Sequence, residues 1–365
     1  MSELLLRGGR VIDPASGMDC TGDVLVHDGR ISDISPKPLA SNATTVDCEG
    51  CLITPGLLDI HVHFREPDAT GHHEETIATG AAAAAAGGFS TVCCMPNTTP
   101  ALDHPEVIKS VLHLAQAAGL SRVFPVGCGT IGRQGEQLAP IAELISAGSI
   151  AISDDGDGVA DDQMMERILT LVAEGDSVFM QHCQDPAMTR GAAMNEGTLS
   201  QQLGLGGWPR EAETRMLDRD LKLNQNIGAR YHAQHLSVAE SVVALRDARA
   251  QGQQATGEAA PHHLLLTEDA CRHWNPLAKV NPPLRTAADI QALKDGIAEG
   301  VITVLATDHA PHPSQSKATD FASAAFGMVG LECALALYRE ALIDDGVLEW
   351  PRMLEMMTSN PARLC

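Results

Sequence analysis

The sequence predicts an α/β protein, a (β/α)8 barrel with a small N-terminal β domain. Three observations point there. Eight short apolar runs recur between residues 57 and 307, helix-patterned stretches separate them, and chemically capable polar residues stand at their ends. A chain of 365 residues is long enough for one such barrel.

Residues 1–52 read as the small β domain and residues 53–365 as the barrel. Val24 to Ile34 alternates apolar and polar around Asp28-Gly29, the mark of a type I′ hairpin. The barrel runs are 57–63, 89–95, 122–128, 148–154, 177–183, 229–236, 253–260 and 301–307. Between them lie helical stretches at 73–86, 105–118, 137–147, 162–174, 211–225, 237–251 and 286–299. Ala81 to Ala86 is a helix-forming run stopped by Gly87-Gly88. The run 253–260 is the weakest strand, because its residues are not strongly β-forming.

Composition narrows the function classes. Hydrophobic residues make up 44% and charged residues 20%, enough for a large core, so an ordered chain is expected. No run approaches the ~18 apolar residues of a membrane span. The N-terminus has no signal-peptide pattern, so a cytoplasmic protein is expected. A net charge of -22 argues against nucleic-acid binding, which needs a basic footprint. Ten cysteines in such a chain read as reduced, mostly buried small hydrophobes. Cys48-Glu-Gly-Cys51 has CxxC spacing, but with no second pair or nearby His it reads as two strand-flank residues.

Barrel enzymes carry their reactive groups at the C-terminal ends of the strands. Here His61 and His63 end the first run, Asp154 and Asp155 the fourth, His182 the fifth and His235 the sixth, while Asp308 follows the eighth. His61 and His63 stand two apart, so a strand sends both imidazoles to one face. Imidazole with carboxylate suits a divalent transition metal, zinc above all. Four histidines and two aspartates exceed the needs of one tetrahedral ion. Two metals sharing a carboxylate are therefore expected, with Asp154 and Asp155 both open as the bridge.

The motifs His61-Val-His-Phe-Arg-Glu-Pro67, Met95-Pro-Asn97, Ser153-Asp-Asp-Gly156, Gln181-His-Cys183, His235-Leu-Ser237, Pro261-His-His263, Asn281-Pro-Pro-Leu-Arg285 and Thr307-Asp-His-Ala-Pro-His312 occur in this order. Together they resemble the dihydroorotases of the amidohydrolase superfamily, in the type with an aspartate bridge. The resemblance implies His61 and His63 on one metal, His182 and His235 on the other, and Asp155 between them. It makes Asp308 a metal ligand and the catalytic acid/base. Relatives that bridge with a carbamylated lysine are set apart, since no lysine lies between Lys109 and Lys222.

The implied reaction is the reversible interconversion of L-dihydroorotate and N-carbamoyl-L-aspartate in pyrimidine synthesis, using a metal-bridging hydroxide. Arg65 suits the substrate carboxylate, with Asn97 and His312 completing the clamp. Asn281 is expected at the ring edge and Phe326-Gly327 to offer backbone groups to it, although Ala325 stands where proline is usual. His309 is expected behind the site. His72, His73, His232, His262 and His263 are expected to be structural, with His232 facing away from His235. Gln184 replaces a common Glu after His-Cys and is expected to alter the surroundings of His182. In relatives, the segment matching Ser359 to Cys365 is followed by residues that complete the small β domain. Half of that domain is thus expected to be missing, by truncation or by nature, leaving open strand edges. A homodimer is expected, with aspartate transcarbamoylase as a possible partner. The rivals are a hydantoinase- or allantoinase-like hydrolase, for which the carboxylate clamp would be idle, and a non-catalytic scaffold for the transcarbamoylase, against which the complete ligand set speaks.

Overall fold

The computed structural model describes residues 3–70 and 75–365. The expectations for His72 and His73, and the start of the 73–86 helix, lie outside them.

The N-terminal sheet joins β1 (Glu3–Asp13), β2 (Met18–His27), β3 (Arg30–Ser35), β4 (Thr44–Asp47) and β5 (Leu52–Ile53). Its order is β3-β2-β1-β4, with β5 also on β1. The β2–β3 turn is the expected two-residue loop: His27 pairs with Arg30, and Asp28 and Gly29 take φ 47° and 74°. Cys48 and Cys51 flank β4 and β5, and all ten cysteines are free.

From residue 57 the strands are parallel. They are β6 (Leu57–Val62), β7 (Phe89–Cys94), β8 (Arg122–Pro125), β9 (Val178–Gln181), the short β10 (Met194–Asn195) and β11 (Gly207–Trp208), β12 (Arg230–Ala233), β13 (Ala255–Ala259) and β14 (Val304–Leu305). Pairing runs β6-β7-β8 and β9-β12-β13-β14. The fourth run forms no continuous strand, but Ile152 bridges Gly127 on one side and Phe179 on the other, linking the two sheets. Beyond β14, His309 bridges Val62, bringing the eighth run back to the first. Asp59 braces the same join by accepting from the Thr307 and His61 amides at 3.2 and 3.0 Å.

Helices follow the strands, as the sequence spacing requires. They are α1 (Ile77–Ala86), α2 (Pro105–Ala118), α3 (Ile141–Ala147), α4 (Asp162–Glu174), α5 (Thr198–Leu203), α6 (Glu211–Ile227), α7 (Ala239–Ala250), α8 (Pro261–Leu265) and α9 (Ala287–Ala298). Local chemistry sets their starts. Thr76 and Thr79 form a capping box for α1, Pro105 opens α2, and Thr286 with Asp289 caps α9. The weak seventh run does become β13. Its Gly257 lets α7 close on it, since a Cβ there would stand 2.7 Å from Leu245 and 2.9 Å from Leu236. One apolar core joins helices and strands through residues such as Phe89, Leu144, Ile168, Phe179 and Leu245. Among the described residues, no helix is long and apolar enough to cross a membrane.

Gly80 of α1 shows how tightly this packing reaches the motif residues. A Cβ there would stand 2.2 Å from the ring of Phe64, which is fully buried between His63 and Arg65. Alanine favours a helix over glycine by about 1 kcal/mol. Overpacking a rigid core ring costs about 1–3 kcal/mol. Gly80→Ala is therefore expected to lower the midpoint of thermal unfolding; an equal or higher midpoint would show that Phe64 yields.

Candidate metal centre

Six side chains from the ends of five apolar runs meet in one buried cluster. Asp155 is its hub. Its Oδ1 lies 3.3 Å from His61 Nε2, 3.5 Å from His182 Nδ1 and 3.8 Å from His235 Nε2, while Oδ2 lies 3.5 Å from His63 Nε2. Asp308 Oδ1 lies 3.0 Å from His63 Nε2 and 3.5 Å from His61 Nε2. His182 Nδ1 and His235 Nε2 are 2.7 Å apart. Two triplets have the ligand spacing of a metal ion: His61, His63 and Asp308, and His61, Asp155 and His235.

The donor set fits divalent cations. Asp155 Oδ1 is buried and has no hydrogen bond, although three imidazole nitrogens surround it. A buried anionic oxygen left so is costly unless a cation meets it. Burial by itself disfavours a charged His61, but Glu258, Asp155 and Asp308 outweigh it and raise its pKa well above the usual imidazole value. The pocket thus holds an excess of negative charge that suits a cation. His235 and Asp308 have φ of 28° and 51°, left-handed backbone that turns each residue out of its strand direction at the cluster.

Of the two adjacent aspartates, Asp155 is the one that lies among the four imidazoles. Asp154 turns away and accepts from the amides of Gly129 and Thr130 at 2.8 and 3.1 Å, and from the Thr130 hydroxyl at 2.5 Å. Burial pushes its carboxyl up to about 6 against those bonds.

The residues expected to contact substrate line one cavity with this cluster. It holds about 260 Å³ and is bounded by His63, Arg65, Asn97, Asn281, His312 and Phe326, among others. Arg65 Nη2 is 3.4 Å from His312 Nε2. The neighbouring Glu66 accepts from the Ile77 amide at the start of α1. Asn97 Oδ1 accepts from His63 Nδ1 at 3.0 Å, which turns His63 Nε2 to the cluster. Asn281 Nδ2 donates to Gln184 Oε1 at 2.9 Å, and its buried Oδ1 makes no hydrogen bond. Gln184 does touch His182: its Oε1 accepts from His182 Nε2 at 2.6 Å, leaving Nδ1 for the cluster. Phe326 and Gly327 border the cavity, yet the Gly327 amide donates to Lys279 O and Phe326 O accepts from His312 Nε2. Those backbone groups are engaged rather than free. His309 lies behind the cavity, between Glu75 and the Gly330 amide. His263 is buried against Pro282 O, and burial holds its pKa down to about 4.

One expectation is corrected. His232 does not face away from the cluster but reaches it through Glu258, which accepts from His232 Nε2 at 3.0 Å and from His61 Nδ1 at 2.5 Å. The alternation of a strand cannot be carried from His232 to His235, because β12 stops at Ala233 and the backbone reverses at His235. Glu258 itself is not among the sequence-predicted residues. The available signal was a lone carboxylate in a strand of otherwise small, uncharged residues.

The sequence matches the Dihydro-orotase-like family over residues 50–241. A dihydroorotase of Leifsonia xyli subsp. xyli is 45% identical over 345 residues, covering 94% of this chain and 78% of that protein. A Streptomyces coelicolor dihydroorotase is 42% identical over 366 residues, covering 100% of this chain and 84% of its own. Among solved structures, the L-hydantoinase (dihydropyrimidinase) from Arthrobacter aurescens has a TM-score of 0.85 at 25% identity and covers all of this chain and 82% of its own. The dihydropyrimidinase from Brevibacillus agri NCHU1002 shares the fold, with a TM-score of 0.84 at 19% identity over 99% of this chain and 81% of its own. Fold and cluster define a metal-dependent cyclic amidohydrolase. Within that class, the chain belongs to the dihydroorotase family.

Proposed function

We propose that this chain is a dihydroorotase that interconverts L-dihydroorotate and N-carbamoyl-L-aspartate. In this reading residues 53–365 form the catalytic (β/α)8 barrel and residues 1–52 an accessory β domain. Two zinc ions would be held by His61, His63, His182, His235 and Asp308, with Asp155 between them. Bound there, they supply Lewis acidity and a water of lowered pKa. Asp308 reaches the cluster and borders the cavity, so it can take a proton from the attacking water and give it to the departing ring nitrogen. Arg65 binds the substrate carboxylate, helped by the amide of Asn97, whose Oδ1 is already spent on His63. The orphaned Oδ1 of Asn281 accepts a ring N–H.

The single observation that carries this reading is the placement of Arg65, Asn97 and His312 in the same small cavity as the imidazole–carboxylate cluster. The likeness to hydantoinases raises the alternative of a neutral ring as substrate, which offers no carboxylate for a guanidinium in the cavity to bind. Turnover of dihydroorotate should exceed that of dihydrouracil and hydantoin; the reverse order would overturn the reading. Exhaustive chelation should abolish activity, and two equivalents of zinc per chain should restore it. Full recovery at one equivalent would remove the bridged pair.

A further inference from the structure

We propose that Glu258 is the positioning residue of this centre, a single carboxylate that sets the tautomer of His61 and pins the backbone of His235. The inference rests on the two-metal reading and deepens it.

Glu258 lies in β13 and is completely buried. Its Oε1 accepts from His61 Nδ1 at 2.5 Å and from the His235 backbone amide at 3.2 Å. Its Oε2 accepts from His232 Nε2 at 3.0 Å, and His232 Nδ1 meets the Thr256 hydroxyl at 2.8 Å. An ionised carboxylate only accepts. The His61 proton must therefore sit on Nδ1, which leaves the Nε2 lone pair aimed at Asp155 and Asp308. A metal ion requires that tautomer.

The effect reaches both ligand pairs because the carboxylate that holds His61 also holds the backbone of His235. The amide held by Oε1 belongs to His235, which sits at the unusual φ of 28°. His232, in turn, fixes Glu258 from the far side. An apolar residue would fill the space without the cost of burying a charge, but it would leave the His61 Nδ1 proton and the His235 amide without an acceptor.

The test is zinc affinity, measured by competition with a chromophoric chelator on the metal-free full chain. Glu258→Gln keeps the shape but replaces one acceptor oxygen with an amide donor that faces an imidazole N–H. It should weaken zinc binding by about 10–100-fold and shift the visible absorption of the cobalt(II)-loaded protein. His232→Gln, which leaves both ligands in place, should move affinity in the same direction. If Glu258→Gln folds with wild-type circular dichroism and binds zinc as tightly as the parent, the proposal fails. Should that variant not fold, unchanged affinity in His232→Gln has the same force. Wild-type chain that takes up no zinc would instead remove the metal reading underneath.

Discussion

Asp308→Ala is expected to lower kcat for dihydroorotate hydrolysis by about 10²–10⁴-fold, the usual contribution of a positioned acid/base, while zinc stays bound. The expectation follows from where Asp308 stands. It follows β14, at a φ of 51° that turns its side chain over the cluster, and its Oδ1 is 3.0 Å from His63 Nε2. It also borders the cavity, which Asp154 does not. In the proposed reading alanine removes the proton carrier and one ligand, while His61, His63, His182, His235 and Asp155 would still hold the ions. Rate and zinc content measured on the same sample separate the two roles. Asp308→Asn sharpens the comparison, because the amide keeps the shape and a ligand oxygen yet cannot carry the proton. A near-wild-type rate in either variant would remove Asp308 from the proton transfer.

The four histidines and the aspartates were legible in the sequence because each stands at the end of an apolar run, and barrel strands deliver their ends to one rim. The choice of Asp155 over Asp154 was not legible from spacing. Both follow the same run, and only tertiary contact with Gly129 and Thr130 turns Asp154 aside. Helix boundaries such as 105–118 and 162–174 were readable because proline and aspartate punctuate them. The fourth run was readable as an apolar segment but not as a bridge of single residues, since the pattern of side chains carries no ladder geometry. β10, β11 and α5 were missed because two-residue strands and a six-residue helix leave too little periodicity to detect. Glu258 escaped for a different reason. Its strand is rich in small residues, so neither its facing nor its burial could be read until α7 and His61 were in place around it.

Arg65→Met should raise KM for dihydroorotate by about 10–150-fold, the equivalent of losing one charge-assisted hydrogen bond worth about 1.5–3 kcal/mol. Methionine keeps much of the apolar stem, so the change isolates the guanidinium. That group lies 3.4 Å from His312 Nε2, on a wall of the cavity that also presents Asn97. Its neighbour Glu66 is committed to the start of α1, so removing Arg65 does not undo a helix cap. Dihydrouracil, which has the ring but no carboxylate, provides the internal control. Its turnover by the variant should match the parent's, since the lost interaction was never made. The ratio of the two substrates' kcat/KM therefore reports carboxylate recognition alone, free of any general damage to the metal centre. An unchanged KM for dihydroorotate would take Arg65 out of substrate binding, and with it the feature that separates this cavity from one built for a neutral ring.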